Sequence, residues 1–177
     1  MSVVTAQIEE KAKRVLPLAP VPVRRADVHK QFRENVFLSS ITPGTDEAGQ
    51  VIYLAEVRVI SDHPYFFEHS RDHLPGLYII EAGRQLGLAI PHLFYDVGYD
   101  YGSVLEGCDM RFSGFINLTD RLFIECRIFN PVYRRGKLQS LSFDGTFLQR
   151  GQACVQYQSH IRLIHRKLLA RYERHSG

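Results

Sequence analysis

The sequence predicts an α+β domain in which a curved antiparallel sheet wraps around one long central helix, with short helices near both ends. Three observations carry that prediction. The run "LYIIEAGRQLGLAI" (77–90) is apolar nearly all the way round and stands between Pro75 and Pro91, the length and punctuation of a helix surrounded by other structure. Two strand-like runs precede it and four long ones follow, separated by turn residues. Antiparallel strands usually lay one face on a core, so a sheet curling over the helix buries both.

Taken in order, residues 5–16 form a short amphipathic helix, with Ile8, Ala12, Val15 and Leu16 in one stripe and Glu9–Lys13 and Glu10–Arg14 as supporting pairs. "LPLAPVPV" ends it, because its prolines force extended chain. "ENVFLSSI" (34–41) and "VIYLAEVRVI" (51–60) make a hairpin around the turn-rich "TPGTDEAGQ". After the helix and a Gly/Tyr/Asp-rich loop come "SVLEGCDMRFSGFI", "DRLFIECRIF", "LQSLSFDGTFLQ" and "QACVQYQSHIRLI", expected as a meander of four strands. Asn117–Asp120, Arg134–Lys137 and Arg150–Gln152 mark its turns. "HRKLLARYERH" closes the chain as a basic, exposed helix. The organisation is thus a lead-in over 1–27, one domain over 28–164 and a basic tail over 165–177.

Composition narrows the class. At 177 residues, 45% hydrophobic and 23% charged, the chain is long enough to bury roughly two thirds of its unfolded surface without staples. No run approaches the ~20 apolar residues of a membrane span, and the N-terminus lacks a signal-peptide core, so a cytoplasmic protein is expected. Cys108, Cys126 and Cys154 are odd in number, widely spaced and set in apolar runs. They read as buried thiols in a reducing compartment. The net charge of +3 is mild, and no zinc-finger, helix-turn-helix or interleaved basic–aromatic pattern points to nucleic acid.

Chemistry concentrates in "YFFEHSRDHLPGLYIIEAGRQLG" (65–87). On a helix Glu81, Arg84 and Gln85 fall at i, i+3 and i+4 and share a face. A carboxylate in apolar surroundings is costly unless paired. Either Glu81 simply pairs with Arg84, or this face opens onto a ligand cleft in which Glu81 is an acid or base. Pro75-Gly76 starts the helix, where free amides attract a developing oxyanion and glycine admits a close carbonyl. His63, His69 and His73 crowd the preceding loop, and a histidine there can serve as a general base. No complete metal-ligand set accompanies them.

"DHPYFFEH" (62–69) and "LPGLYIIEAGRQ" (74–85) resemble the signature of the β-hydroxyacyl-carrier-protein dehydratases of the hotdog superfamily, at Pro64, the aromatics at 65–66, His69, Pro75, Gly76, Glu81, Ala82 and Gln85. The spacing from His69 to Pro75 is two residues shorter than theirs, so His69 or His73 can hold the catalytic position. Arg84 within E-A-G-R-Q-L-G, together with Val28-His29-Lys30 before the first strand, is similar instead to the hotdog family of A-factor-type γ-butyrolactone biosynthesis.

The resemblance implies a hotdog fold and transfer of a β-ketoacyl group from a carrier protein to a small hydroxylated acceptor. A dehydratase, a thioesterase or a non-catalytic acyl-thioester binder is the alternative. It further implies a homodimer, with catalytic His69 or His73 of one copy facing Glu81 of the other across an acyl tunnel. The thioester carbonyl would bind at Gly76 or Leu77, Arg84 would hold an anionic group of the acceptor, and Gln85 would orient Glu81. No cofactor or metal is implied beyond the phosphopantetheine of an acyl carrier protein or coenzyme A carried by the substrate, and Arg134 and Arg135 would meet an acidic carrier.

Overall fold

The structure is a computed structural model that describes residues 19–175; the helix expected over residues 5–16 lies outside them. One seven-stranded sheet, in the order β1-β2-β3-β5-β6-β7-β4 and antiparallel at every junction, curves around a single long helix. β1 (Val21–Pro22) is a two-residue edge on β2 (Leu38–Thr45), which pairs with β3 (Val51–Val57). Helix α1 (Gly76–Phe94) follows, then β4 (Tyr101–Phe112), β5 (Leu122–Arg134), β6 (Lys137–Gln149), β7 (Gln152–His165) and helix α2 (Arg166–His175).

Turn chemistry accounts for the hairpins. Between β5 and β6, Arg135 and Gly136 have φ of 52° and 75°; between β6 and β7, Arg150 and Gly151 have 52° and 76°. Two consecutive left-handed residues are the turn whose twist matches paired strands. The β2–β3 connection is shorter than the expected nine-residue turn, because Pro43 and Gly44 belong to β2. β1 reaches only Ile41, so beyond it β2 is an edge strand, where a residue without an N–H breaks no ladder. Asp46 closes the remaining loop by accepting the amides of Ala48 and Gln50 at 3.0 and 2.9 Å. At its other end β2 begins at Leu38 rather than near residue 34, because Arg33–Asn35 wind into a 3-10 turn.

Two further expectations need correction. The helix does not stop at Pro91; it continues to Phe94. Proline has no amide to give, but its carbonyl still accepts, and Pro91 O takes the amides of Tyr95 and Val97 at 3.1 and 3.3 Å to close the last turn. The last four strands are not a meander either. β5, β6 and β7 follow one another, whereas β4 lies beyond β7 at the far edge. The segment from Ser113 to Arg121 returns the chain across the sheet, with Asn117 accepting the amides of Thr119 and Asp120.

The core is formed where α1 meets the concave face. Tyr78, Ala82, Leu86, Ala89 and Ile90 are buried against Ile124, Phe143, Phe147, Val155 and Ile161. One side of the helix is uncovered in the single chain: Leu77 is 59% exposed and Ile80 39%. Cys126 and Cys154 are buried thiols, but Cys108 is exposed on β4, because that strand has a neighbour on one side only.

Candidate active site

Gln85 fixes the site from inside. Its side chain is fully buried; its Oε1 accepts the Phe37 amide at 2.8 Å, and its Nε2 donates to the Asn35 carbonyl at 2.7 Å and to Glu81 Oε1 at 2.9 Å. The chain entering β2 thereby sets the orientation of the amide, and the amide aims at the carboxylate one turn earlier on α1. Arg84 closes on the same carboxylate with two charge-assisted bonds, Nε to Oε2 at 2.7 Å and Nη2 to Oε1 at 2.9 Å. A further cation, Lys30, sets its Nζ 2.8 Å from Oε1.

Burial alone would raise the Glu81 pKa, but hydrogen bonds from Arg84, Lys30 and Gln85 outweigh it and hold the group at about 2. Arg84 is correspondingly raised by its bond to Glu81. Glu81 pairs with Arg84, and Arg84 also lines an apolar groove between α1 and the β4–β7 edge, with Ile80, Gly83, Leu105, Met110 and Tyr157.

Gly76 is the first residue of α1 after the N-cap Pro75, and the first amides of a helix have no acceptor within it. A Cβ on Gly76 would meet the Phe112 ring at 3.6 Å, an ordinary contact, so glycine here leaves room over the amides without being forced by the protein. Leu77 beside it points outward.

The three histidines diverge. His69 is exposed in the loop before α1. His73 is paired with Asp72 through Nδ1 at 2.8 Å and lies against Phe115. Among the described residues no hydrogen bond or ion pair joins either to Glu81 of the same chain. His63 is connected to it instead: it is buried, accepts the Tyr65 amide at Nδ1 (3.2 Å) and so donates from Nε2 to Asn35 Oδ1 at 2.8 Å. Asn35 in turn binds Gln85. Lys30, Asn35 and His63 all lie outside the helix whose spacing marked the site. Lys30 had a signal in the Val28-His29-Lys30 motif and His63 in the histidine-rich loop before the helix, whereas Asn35 had none.

A second polar network closes the other end of α1. His92 donates from Nδ1 to the Val97 carbonyl at 2.8 Å and meets His29 Nε2 to Nε2 at 3.0 Å. Burial and the charges of His92, Arg166 and Arg84 hold the His29 pKa down at about 4. His92 stacks on Tyr99, whose hydroxyl donates to the buried Asp27 at 2.6 Å, and Arg24 pairs with that carboxylate. No group of side chains among the described residues could hold a metal ion.

Comparison with known proteins places this architecture. The dehydratase heterocomplex ApeI:P from Xenorhabdus doucetiae superposes with a TM-score of 0.61 at 16% identity, over 88% of this chain and 97% of that one. A conserved protein from Pseudomonas aeruginosa gives 0.52 at 15% identity, over 80% and 100%. An uncharacterised protein from Pyrococcus horikoshii gives 0.52 at 12%, over 81% and 95%. At such identities the likeness shows a shared hotdog fold. No curated protein matches. The profile of the A-factor biosynthesis hotdog domain (AfsA) matches residues 12–165, nearly the whole chain. The chain belongs to the A-factor biosynthesis hotdog family.

Proposed function

We propose that the protein is an acyl-thioester enzyme that moves a β-ketoacyl group from a carrier to the hydroxyl of a small acceptor. The observation that carries this is the ion-paired cluster Glu81–Arg84–Lys30, of which Arg84 lines an apolar groove, in a chain of this family. An acyl chain fits the groove walls, and an anionic acceptor fits the arginine. The acyl group arrives on the phosphopantetheine of an acyl carrier protein or coenzyme A in the cytoplasm, and Arg134 and Arg135, exposed at the β5–β6 turn, suit an acidic carrier.

A homodimer completes the site. β4 has an unpaired edge, and Leu77, Ile80, Leu105 and Phe112 leave apolar surface beside it. Pairing two copies along this edge covers that surface and brings His69 of one copy to Glu81 of the other. His69 takes the proton of the acceptor hydroxyl, and the oxygen attacks the thioester carbon. The carbonyl oxygen takes up charge at the amides of Gly76 and Leu77. The carbon–sulfur bond then breaks, and the thiol leaves with the proton that His69 returns. Glu81, held ionised, stabilises the imidazolium rather than acting as the base itself; His73, tied to Asp72, is the alternative proton carrier.

The test is mass spectrometry of products from a panel of 3-oxoacyl and 3-hydroxyacyl thioesters, with and without dihydroxyacetone phosphate. An ester formed only with acceptor present supports transfer. Enoyl product or free thiol without acceptor assigns a dehydratase or thioesterase, and binding with no turnover leaves an acyl-thioester sensor. Glu81→Gln and His69→Ala should each cut turnover by about a hundredfold or more. Unchanged rates in both remove the proposed pair.

A further inference from the structure

Lys30 is a third element of the site that the helix does not supply. A carboxylate already held by a bidentate guanidinium and an amide has its charge balanced and its oxygens partnered. A second cation on Oε1 is superfluous for keeping Glu81 in the fold, and it leaves the trio Lys30, Arg84 and Glu81 with a net charge of +1.

The backbone before β2 is shaped to deliver it. Val28 is fully buried, fixing one side of the tripeptide. His29 adopts a left-handed conformation (φ 53°, ψ 40°), which a non-glycine residue holds only under constraint. That turn sends the His29 ring to His92 near the end of α1 while the next side chain reaches back to Glu81 near its start. The Lys30 amide is anchored on the Arg25 carbonyl at 2.9 Å. Lys30 and Glu81 side chains are 25% and 19% exposed, so this is no loose surface pair.

Arg84 shows what the extra cation does. Its Nε and Nη2 are engaged by Glu81, while Nη1 has no hydrogen-bond partner among the described residues, and the residue lines the groove. We infer that Lys30 is a positioning residue: by sharing Glu81 with Arg84 it fixes the carboxylate and leaves the guanidinium incompletely neutralised, free to turn its outer nitrogen to an anionic group in the groove. The inference rests on the proposed acyl-transfer reading for its catalytic consequence, but not for the clamp itself.

The experiment compares Lys30→Ala and Lys30→Arg with wild type in the full chain, with melting temperature as the folding control. Carbon-13 NMR of glutamate-labelled protein reads the clamp directly: in Lys30→Ala the Glu81 carboxylate should titrate about one pH unit higher than in wild type, and Lys30→Arg should restore it. In the acyl-transfer assay kcat should fall about tenfold and KM for the anionic acceptor should rise, with KM for the acyl thioester unchanged and arginine again rescuing. A Glu81 titration that Lys30→Ala does not move overturns the inference, as does a moved titration with acceptor kinetics unaltered in an active enzyme. Wild type without turnover on any thioester overturns the transfer reading instead, and the NMR shift then still decides whether the clamp exists.

Discussion

Glu81 stays an anion far below the ordinary carboxylate range, and that has a measurable cost in acid. A carboxyl lowered from 4.5 to about 2 stabilises the folded chain fully above pH 4.5, and this contribution is lost as pH falls through about 2. The shift corresponds to about 3 kcal/mol. His29 acts in the same direction over a different window. Its pKa drops from 6.5 to about 4, so the unfolded chain takes up its proton first and stability falls as pH drops from 6.5 towards 4. Urea midpoints against pH should therefore decline in two stages. His29→Gln should remove the upper stage, and Glu81→Gln the lower.

The upper loss would sit on the strained turn that aims Lys30, so the two histidines at the end of the helix bear on the carboxylate near its start. Part of this was legible from the sequence and part was not. The i, i+3, i+4 spacing of Glu81, Arg84 and Gln85 follows from helix geometry alone and is what the structure shows. Lys30, Asn35 and His63 reach the site only through the path of the chain before β2 and after β3, which no local spacing encodes.

At the level of elements, residues that lack a side chain decide how closely helix and sheet approach. Gly145 on β6 lies under the Tyr157 ring, and a Cβ there would run into the ring. Gly145→Ala should cost about 3 kcal/mol or more, since Tyr157 is buried and cannot step aside, read as a fall in melting temperature. Gly83→Ala has the opposite character. Its Cβ would sit 3.6 Å from Tyr157, an ordinary contact, and alanine in a helix is favoured over glycine by about 1 kcal/mol. This variant should melt higher yet bind acyl thioesters more weakly, because Gly83 lines the groove.

Helix, hairpins and strands were visible as periodicities and turn dipeptides. Their neighbours were not, because the alternation of a strand states which face is buried and nothing about which strand lies alongside. That is why β4 reads as the first rung of a meander and is found at the edge. The run through Pro91 was likewise hidden, because proline is read as a stop when only its missing amide is counted and its carbonyl is not.

For the whole molecule, the open side of β4 is the decisive feature. A strand with a free row of amides and carbonyls is a template for pairing, and the apolar side chains beside it favour a second copy. Sedimentation should report a species of twice 20.4 kDa, that is 40.8 kDa. Met110→Pro, which removes an amide from that edge, should shift it towards the single chain and reduce turnover with it.

The same edge has a consequence for how the protein is made. β4 is synthesised directly after the helix, but its sheet neighbour within the chain is β7, the last strand to emerge. While β5 and β6 are still leaving the ribosome, β4 has nothing to zip against. The far wall of the groove therefore forms only when the final strand arrives, and a nascent chain halted at the β6–β7 turn would carry Glu81 and Arg84 on a ledge instead of in a cleft.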